Sequence, residues 1–198
     1  MSIEPDDGRL RSGEPYEIID NPVVGQQYRL LERGSDADGE FLRLEVRYRA
    51  DAKHFAEHVH PRQAESNHVL SGEMVVTVAG EERTVGPGER VTLPAGVPHS
   101  HRNASGIETR VLAELRPPMA WVPFARALAG LAREGKTDED GMPNPLALAV
   151  LLNAYPDIVY LPAIPIAVQK LLFGLLAPVG RLRGYSTDYP AVRGPGSE

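Results

Sequence analysis

All six histidines of the chain fall between positions 54 and 101, within about a quarter of its length. Four residues in that stretch have types and spacing suited to chemistry: His58, His60, Glu65 and His99. On an extended strand His58 and His60 point the same way, about 6.6 Å apart along the chain. Two imidazole nitrogens so placed can converge on one ion at about 2.1 Å each. Pro61-Arg62-Gln63-Ala64 then reads as a turn, and Glu65 opens the returning strand. His99 follows Pro94-Ala95-Gly96-Val97-Pro98, a stiff turn able to fix where its ring points. Three imidazoles and one carboxylate suit a single divalent transition ion (Fe, Mn, Co, Ni, Cu or Zn) and disfavour an all-oxygen ion such as Ca. Ordinary imidazoles titrate near about pH 6.5, so such an ion is expected to leave between about pH 6 and 5.

Composition removes competing chemistries. There is no cysteine, which excludes thiolate nucleophiles, disulfide scaffolds, zinc ribbons and Fe–S clusters. Lys and Arg number 21 against 27 Asp and Glu, a net charge of -6 with no basic stripe for a nucleic-acid backbone. No G-x-S-x-G elbow is present, and Ser66 and Ser100 merely flank the candidate ligands. Residues 130–137 spell the G-x4-G-K-[ST] pattern, but an amphipathic helix precedes it and carboxylates follow, so Gly135 reads as a helix end and not as a phosphate cradle. Asp138-x-Asp140-Gly141 is too short for a calcium loop. The acidic, polar N-terminus has no apolar core of a secretory signal, and a cytoplasmic location is expected.

The elements that must position these side chains divide the 198 residues into four parts. Residues 1–14 read as a flexible arm. Residues 15–116 are β in character, and the clearest strand is 41–49, where Leu42, Leu44, Val46 and Tyr48 alternate with Arg43, Glu45, Arg47 and Arg49. Short runs at 68–70, 74–78, 90–93 and 109–115, separated by glycine turns, predict an all-β sandwich or barrel. Residues 117–185 form a helical extension: 121–133 is amphipathic, Asn144-Pro145 opens a short apolar helix over 146–153, and 164–183 is apolar on nearly all sides but broken by Gly174 and Pro178. Residues 186–198 read as a flexible tail. Prolines and the Gln169-Lys170 pair argue against 158–180 as a membrane span. Membrane contact by this segment is not favoured; a homodimer contact or a lid over the barrel is expected instead.

The two histidine-bearing stretches resemble the motifs of the cupin superfamily. His58-x-His60-x4-Glu65-x6-Gly72 follows the first cupin motif from its first histidine, and Gly88, Pro94, Gly96, His99 and Asn103 fill every fixed place of the second. The leading glycine of the first motif is replaced by Ala52. The resemblance spans residues 41–116 and implies a double-stranded β-helix, or jelly-roll, barrel holding a metal through His58, His60, Glu65 and His99. It says nothing of the C-terminal extension.

Strand parity sorts the other polar residues. Asn67 shares parity with Glu65, and His101 with His99, so both are expected inside the barrel as substrate contacts, with His101 the candidate catalytic acid or base. Tyr48 ends the inward face of its strand and is a further candidate substrate contact. His68 has the opposite parity and is expected to face outward; His54 is a candidate for the rim. The resulting expectation is a metal-dependent enzyme, dioxygenase-like, acting on a small organic molecule. The alternatives are a redox-neutral isomerase or decarboxylase and a non-catalytic metal- or ligand-binding barrel.

Overall fold

The alternation read over 41–49 becomes strand β3 (Gly39–Tyr48), the centre around which the rest assembles. Its Leu42, Leu44, Val46 and Tyr48 are buried, and its register places Leu44 opposite Ala113 and Val46 opposite Val111 of β9 (Thr109–Arg116). In the computed structural model, which describes residues 17–54 and 56–190 and the backbone of 192–193, two antiparallel sheets face each other. The larger runs β10-β1-β2-β3-β9-β4-β7, with β1 at Glu17–Asn21, β2 at Gln26–Asp36, β4 at Ala64–Ser71, β7 at Arg90–Leu93 and β10 at Val192–Arg193. The smaller runs β6-β5-β8, with β5 at Met74–Val78, β6 at Glu81–Val85 and β8 at His99–Asn103. Val69, Met74, Val76, Val85, Leu93 and Val111 join the β3 side chains in the core between them. This is the jelly-roll architecture expected, followed by a helical region. The proposed arm, 1–14, lies outside the described residues.

The outward face of β3 is not merely solvated. Glu45 is buried beneath three guanidinium groups, accepting from Arg47 Nε at 3.0 Å and Arg110 Nε at 2.8 Å, with Arg29 at 3.6 Å. Farther along, Arg43 and Arg116 share Glu114 and both lie over the Phe41 ring, at 4.3 and 4.9 Å from its centroid.

The motif residues that cannot bind a metal have structural tasks. Gly72 turns between β4 and β5 at φ +75°, and a Cβ there would meet Thr109 Oγ1 at 2.3 Å and Thr109 Cα at 2.7 Å. Asn103 donates to the carbonyls of Arg49 and Ile107 and accepts from Ser105 and Thr109, tying three loop segments together. Where the family pattern has glycine and this chain has Ala52, the close approach is made by Gly25, whose missing Cβ would lie 3.1 Å from Ala52 Cα.

Helix α1 (Trp121–Arg133) begins and ends where its amphipathic pattern does. It is buried on two sides: Trp121, Ala125 and Ala129 face the barrel, while Phe124, Ala127 and Leu131 face a second core shared with the next helix. Gly135, at φ +67°, ends it, with Lys136 N–H donating to Leu131 O at 2.9 Å. The two glycines of the P-loop-like run thus serve packing and capping, since Gly130 lies directly under the Tyr189 ring. Helix α2 (Pro145–Ala154) is capped by Asn144, whose Oδ1 accepts from Ala147 N–H.

Helix α3 (Ile166–Leu182) corrects the reading of a broken segment. It runs through Gly174 and Pro178 without interruption. Contact with α2 holds it: Ala177 and Gly180 are buried, and a Cβ on Gly180 would fall 2.6 Å from Val150 Cγ2. No helix among the described residues is long and apolar enough to cross a membrane. Residues 186–190 pass over α1, where Tyr189 donates to Glu134 at 2.9 Å, and residues 192–193 pair with β1.

Gly72→Ala is expected to cost about 2 kcal/mol or more in a urea titration, because conformation and contact both oppose a Cβ. Gly96→Ala has the same backbone sign, φ +76°, but open space around it, and is expected to cost clearly less. Equal costs would show that the Thr109 contact does not matter.

Candidate metal centre

The first ligand segment is held between two neighbours. His58 exchanges both main-chain hydrogen bonds with His99 at 2.9 Å, so the start of β8 lies alongside it. Val59 pairs on its other side with Tyr160, in the connection between α2 and α3. Gly96 N–H donates to His60 O at 2.8 Å, which locks the proline-bracketed turn against the same segment. The three imidazoles therefore meet: ring centroids are 4.6 Å apart for His58–His99, 4.9 Å for His58–His60 and 5.2 Å for His60–His99. One ring nitrogen from each lies within 4.8 Å of the others.

The tautomers follow from the hydrogen bonds. A carbonyl oxygen only accepts, so a ring nitrogen facing one must carry the proton. His58 Nδ1 donates to Ala56 O and His99 Nδ1 to Val97 O, both at 2.9 Å, and His60 Nδ1 donates to Ile158 O. Each Nε2 is left with its lone pair. That of His99 is buried with no hydrogen-bond partner, as a metal ligand would be before its ion arrives. Burial, joined by the neighbouring His60 and His99, holds His58 well below the ordinary imidazole pKa, and burial also lowers His60.

Glu65, in β4, stands beside this group and not within it: its Oε2 is 4.0 Å from His60 Nε2, and its Oε1 accepts from Asn67 Nδ2 at 2.6 Å. Burial pushes the Glu65 carboxyl upward, but the imidazoles of His101 and His60 and the Asn67 amide outweigh it, and the group sits below its ordinary range. Asn67 is fully buried as parity requires, though it touches Glu65 and is not part of the cavity wall. His101 and Tyr48 do line the cavity and lie against each other, the Tyr48 hydroxyl 3.3 Å from His101 Nδ1. Tyr48 is 2% exposed and belongs to the barrel core. Burial lowers His101 and raises Tyr48 well above its usual value, so both are neutral near pH 7. His54 is exposed, meets Ser100 Oγ at 3.2 Å and edges a neighbouring hollow. His68 lies outside the cavity.

The cavity measures about 70 Å³ and its walls are mostly apolar, from Leu44, Val46, Leu115 and the rings of Tyr28, Trp121 and Phe124. The last two come from the helical extension, which the sequence motifs did not connect to the site. Gln26, Tyr28 and the Ile158 carbonyl were likewise not anticipated. A larger hollow, about 420 Å³, is lined by His54, Ala56 and Glu57 on one side and by the helices on the other, and shares His58, Phe124, Leu128 and Val159 with the first.

A depressed imidazole favours the neutral form, so His58 contributes stability that is fully present above its unfolded pKa of about 6.5 and is lost as pH falls through the lower folded value. Metal-free protein is expected to show a urea midpoint that is flat above about pH 7 and declines below about pH 6.5. The same depression moves proton competition for a metal to lower pH than ordinary imidazoles would give. A midpoint unchanged down to pH 5 would contradict the buried neutral assignment.

Residues 44–113 match the family model of the cupin domain, Cupin_2. Similar solved structures include KdgF from Halomonas sp., at 19% identity over 54% of this chain and 88% of that one with a TM-score of 0.43. TT1209 from Thermus thermophilus is 31% identical over 39% of this chain and 72% of that one, TM-score 0.36. An RmlC-like cupin from Shewanella frigidimarina is 18% identical over 56% and 90%, TM-score 0.42. No curated protein matches. The matched span carries both ligand-bearing segments, and over residues 44–113 the chain carries a cupin domain.

Proposed function

We propose that His58, His60 and His99, with Glu65 as the fourth ligand, hold one divalent transition metal, and that the protein is a metal-dependent, dioxygenase-like enzyme acting on a small organic molecule inside the barrel. The observation that carries this reading is the set of three buried imidazoles, each fixed by an Nδ1–H bond to a main-chain carbonyl so that the Nε2 lone pairs converge. Beside them lies a buried carboxylate, and no lysine or arginine is among the described residues lining the cavity. A cation at the triad satisfies both. Such a metal, when bound, polarises a ligand oxygen and, if redox-active, gives access to O2.

The chain's own groups do the rest. The apolar walls exclude water, which favours oxygen chemistry over hydrolysis. His101, neutral and backed by the Tyr48 hydroxyl, is placed to take or return a proton from a molecule in the cavity. That pair also supports a second reading, a redox-neutral isomerase or decarboxylase. Asn67 holds Glu65 in position and acts on substrate only through it.

We further propose a homodimer formed through α3. Val168, Leu171, Leu172, Leu175, Val179 and Leu182 are all exposed, Leu171 at 64%, Leu175 at 65% and Leu182 at 88%. With Ile164 and Leu176 they offer on the order of 800 Å², the share each partner brings to a standard interface.

Three measurements check these readings. Purified protein is expected to carry about one transition metal per chain, and His60→Ala to lose most of it while remaining folded, since the barrel core does not depend on that ring. Retention of metal in His60→Ala would remove that residue from the ligand set. Oxygen uptake with a panel of diketones, phenols and thiol acids is expected for the iron-loaded protein. Uptake with none of them, alongside proton exchange or isomerisation of a panel member, would favour the second reading; neither activity would leave a binding protein. Light scattering is expected to give a dimer that Leu171→Glu/Leu175→Glu dissociates. A monomeric parent would remove the dimer, and its sedimentation with anionic vesicles would assign the face to a lipid surface.

A further inference from the structure

One polar group in the cavity is used neither by the fold nor by the proposed metal ligands. Gln26, on β2, is 1% exposed and lines the same cavity as His58, His60, Glu65 and His101. Its Oε1 accepts the Tyr28 hydroxyl at 2.5 Å, while its Nε2 is buried with no hydrogen-bond partner among the described residues. Rotating the amide does not resolve this. The Tyr28 proton would then lose its acceptor and Oε1 would become the unpaired atom, two unmet groups in place of one. The orientation that satisfies Tyr28 therefore leaves an N–H2 donor without an acceptor from the chain. Asn67 and Gln63 also leave one buried amide atom unmet, but it is the oxygen: Asn67 Nδ2 donates to Glu65, and Gln63 Nε2 donates to Pro117 O and Pro118 O, so Gln26 differs in having its donor unmet.

The charge of the cavity narrows what can meet that donor. Among the described residues lining it, Glu65 is the one acidic side chain, and there is no lysine or arginine. A phosphate dianion enclosed there would find no side-chain cation, would have the proposed metal alone to pair with, and would lie beside the Glu65 carboxylate, which makes its burial unfavourable. At about 70 Å³ the space is also small beside the roughly 300–1,000 Å³ of drug-sized sites. The ligand is thus compact and unphosphorylated, and it carries a hydrogen-bond acceptor in addition to whatever atom reaches the histidine triad.

We propose that Gln26 selects the ligand of this centre, donating from Nε2 to a second oxygen of a small, unphosphorylated oxygen compound such as a dicarbonyl or hydroxycarbonyl. This rests on the metal-centre reading above and adds the residue and the substrate class.

The test uses full-length protein loaded with Co(II), whose visible spectrum reports ligand binding without turnover. The probes are 2,5-hexanedione, whose carbonyls are too far apart to chelate one ion readily, its mono-oxygen analogue 2-hexanone, and dihydroxyacetone phosphate. The dione is expected to bind at least tenfold more tightly than 2-hexanone, and the phosphate ester more weakly than the dione. In Gln26→Met, which keeps the side-chain length and removes the donor, the tenfold preference is expected to shrink to within twofold while the spectrum of the unliganded centre stays unchanged. Gln26→Glu, which keeps an oxygen for Tyr28, is expected to lose the preference as well, and serves if the Met variant fails to fold. A preference retained in either variant, no response to the dione, or tighter binding of the phosphate ester overturns the proposal. Failure to take up Co(II) at all is a different result, and overturns the metal-centre reading on which it rests.

Discussion

Three imidazoles cannot be packed edge to edge in a protein interior unless something fixes which nitrogen of each carries its proton. Here main-chain carbonyls do so: those of Ala56, Val97 and Ile158 each accept an Nδ1–H, and every lone pair is turned toward the same point. The carbonyls come from three different parts of the chain, so the site exists only when the segment before His58, the turn before His99 and the connection after α2 are all in place. Much of the surrounding architecture serves this alignment. The His58–His99 main-chain pairing sets the spacing of two rings, and the Gly96–His60 hydrogen bond ties the turn to the third.

This alignment changes the standing of the helical extension. It is not an appendage beside a finished barrel. Tyr160 pairs with Val59, Ile158 orients His60, and Trp121 and Phe124 close the cavity wall. The extension has its own core of Phe124, Ala127, Leu131, Leu151 and Ile158, and α1 contributes side chains to both cores. A change that loosens α2 would thus be felt at His60 through the backbone, without touching a ligand.

Much of this was legible in the sequence where one side-chain period or one motif carried the information. Strand β3 alternates cleanly because one face lies on the core and the other carries the Arg–Glu lattice. The four candidate metal-site residues share two short motifs, and α1 has an unbroken apolar face. Strand β2 was not resolved, because a bulge between Leu30 and Glu32 interrupts its period and its side chains are mostly half-buried. Without a reliable parity for β2, Gln26 could not be assigned to the cavity. Strand β6 carries four exposed residues at a sheet edge and reads as loop. The Val59–Tyr160 pairing joins residues a hundred positions apart through single bridges, which no local pattern announces. In α3, Gly174 and Pro178 are genuine helix breakers by propensity, and packing against α2 overrides them.

What decides the matter is an anomalous-scattering map of crystals grown with one first-row divalent metal. The account requires a single strong peak in the barrel, about 2.1 Å from the Nε2 atoms of His58, His60 and His99, with the Glu65 carboxylate turned toward it. A peak at another position, or a barrel without one at full metal excess, would contradict it.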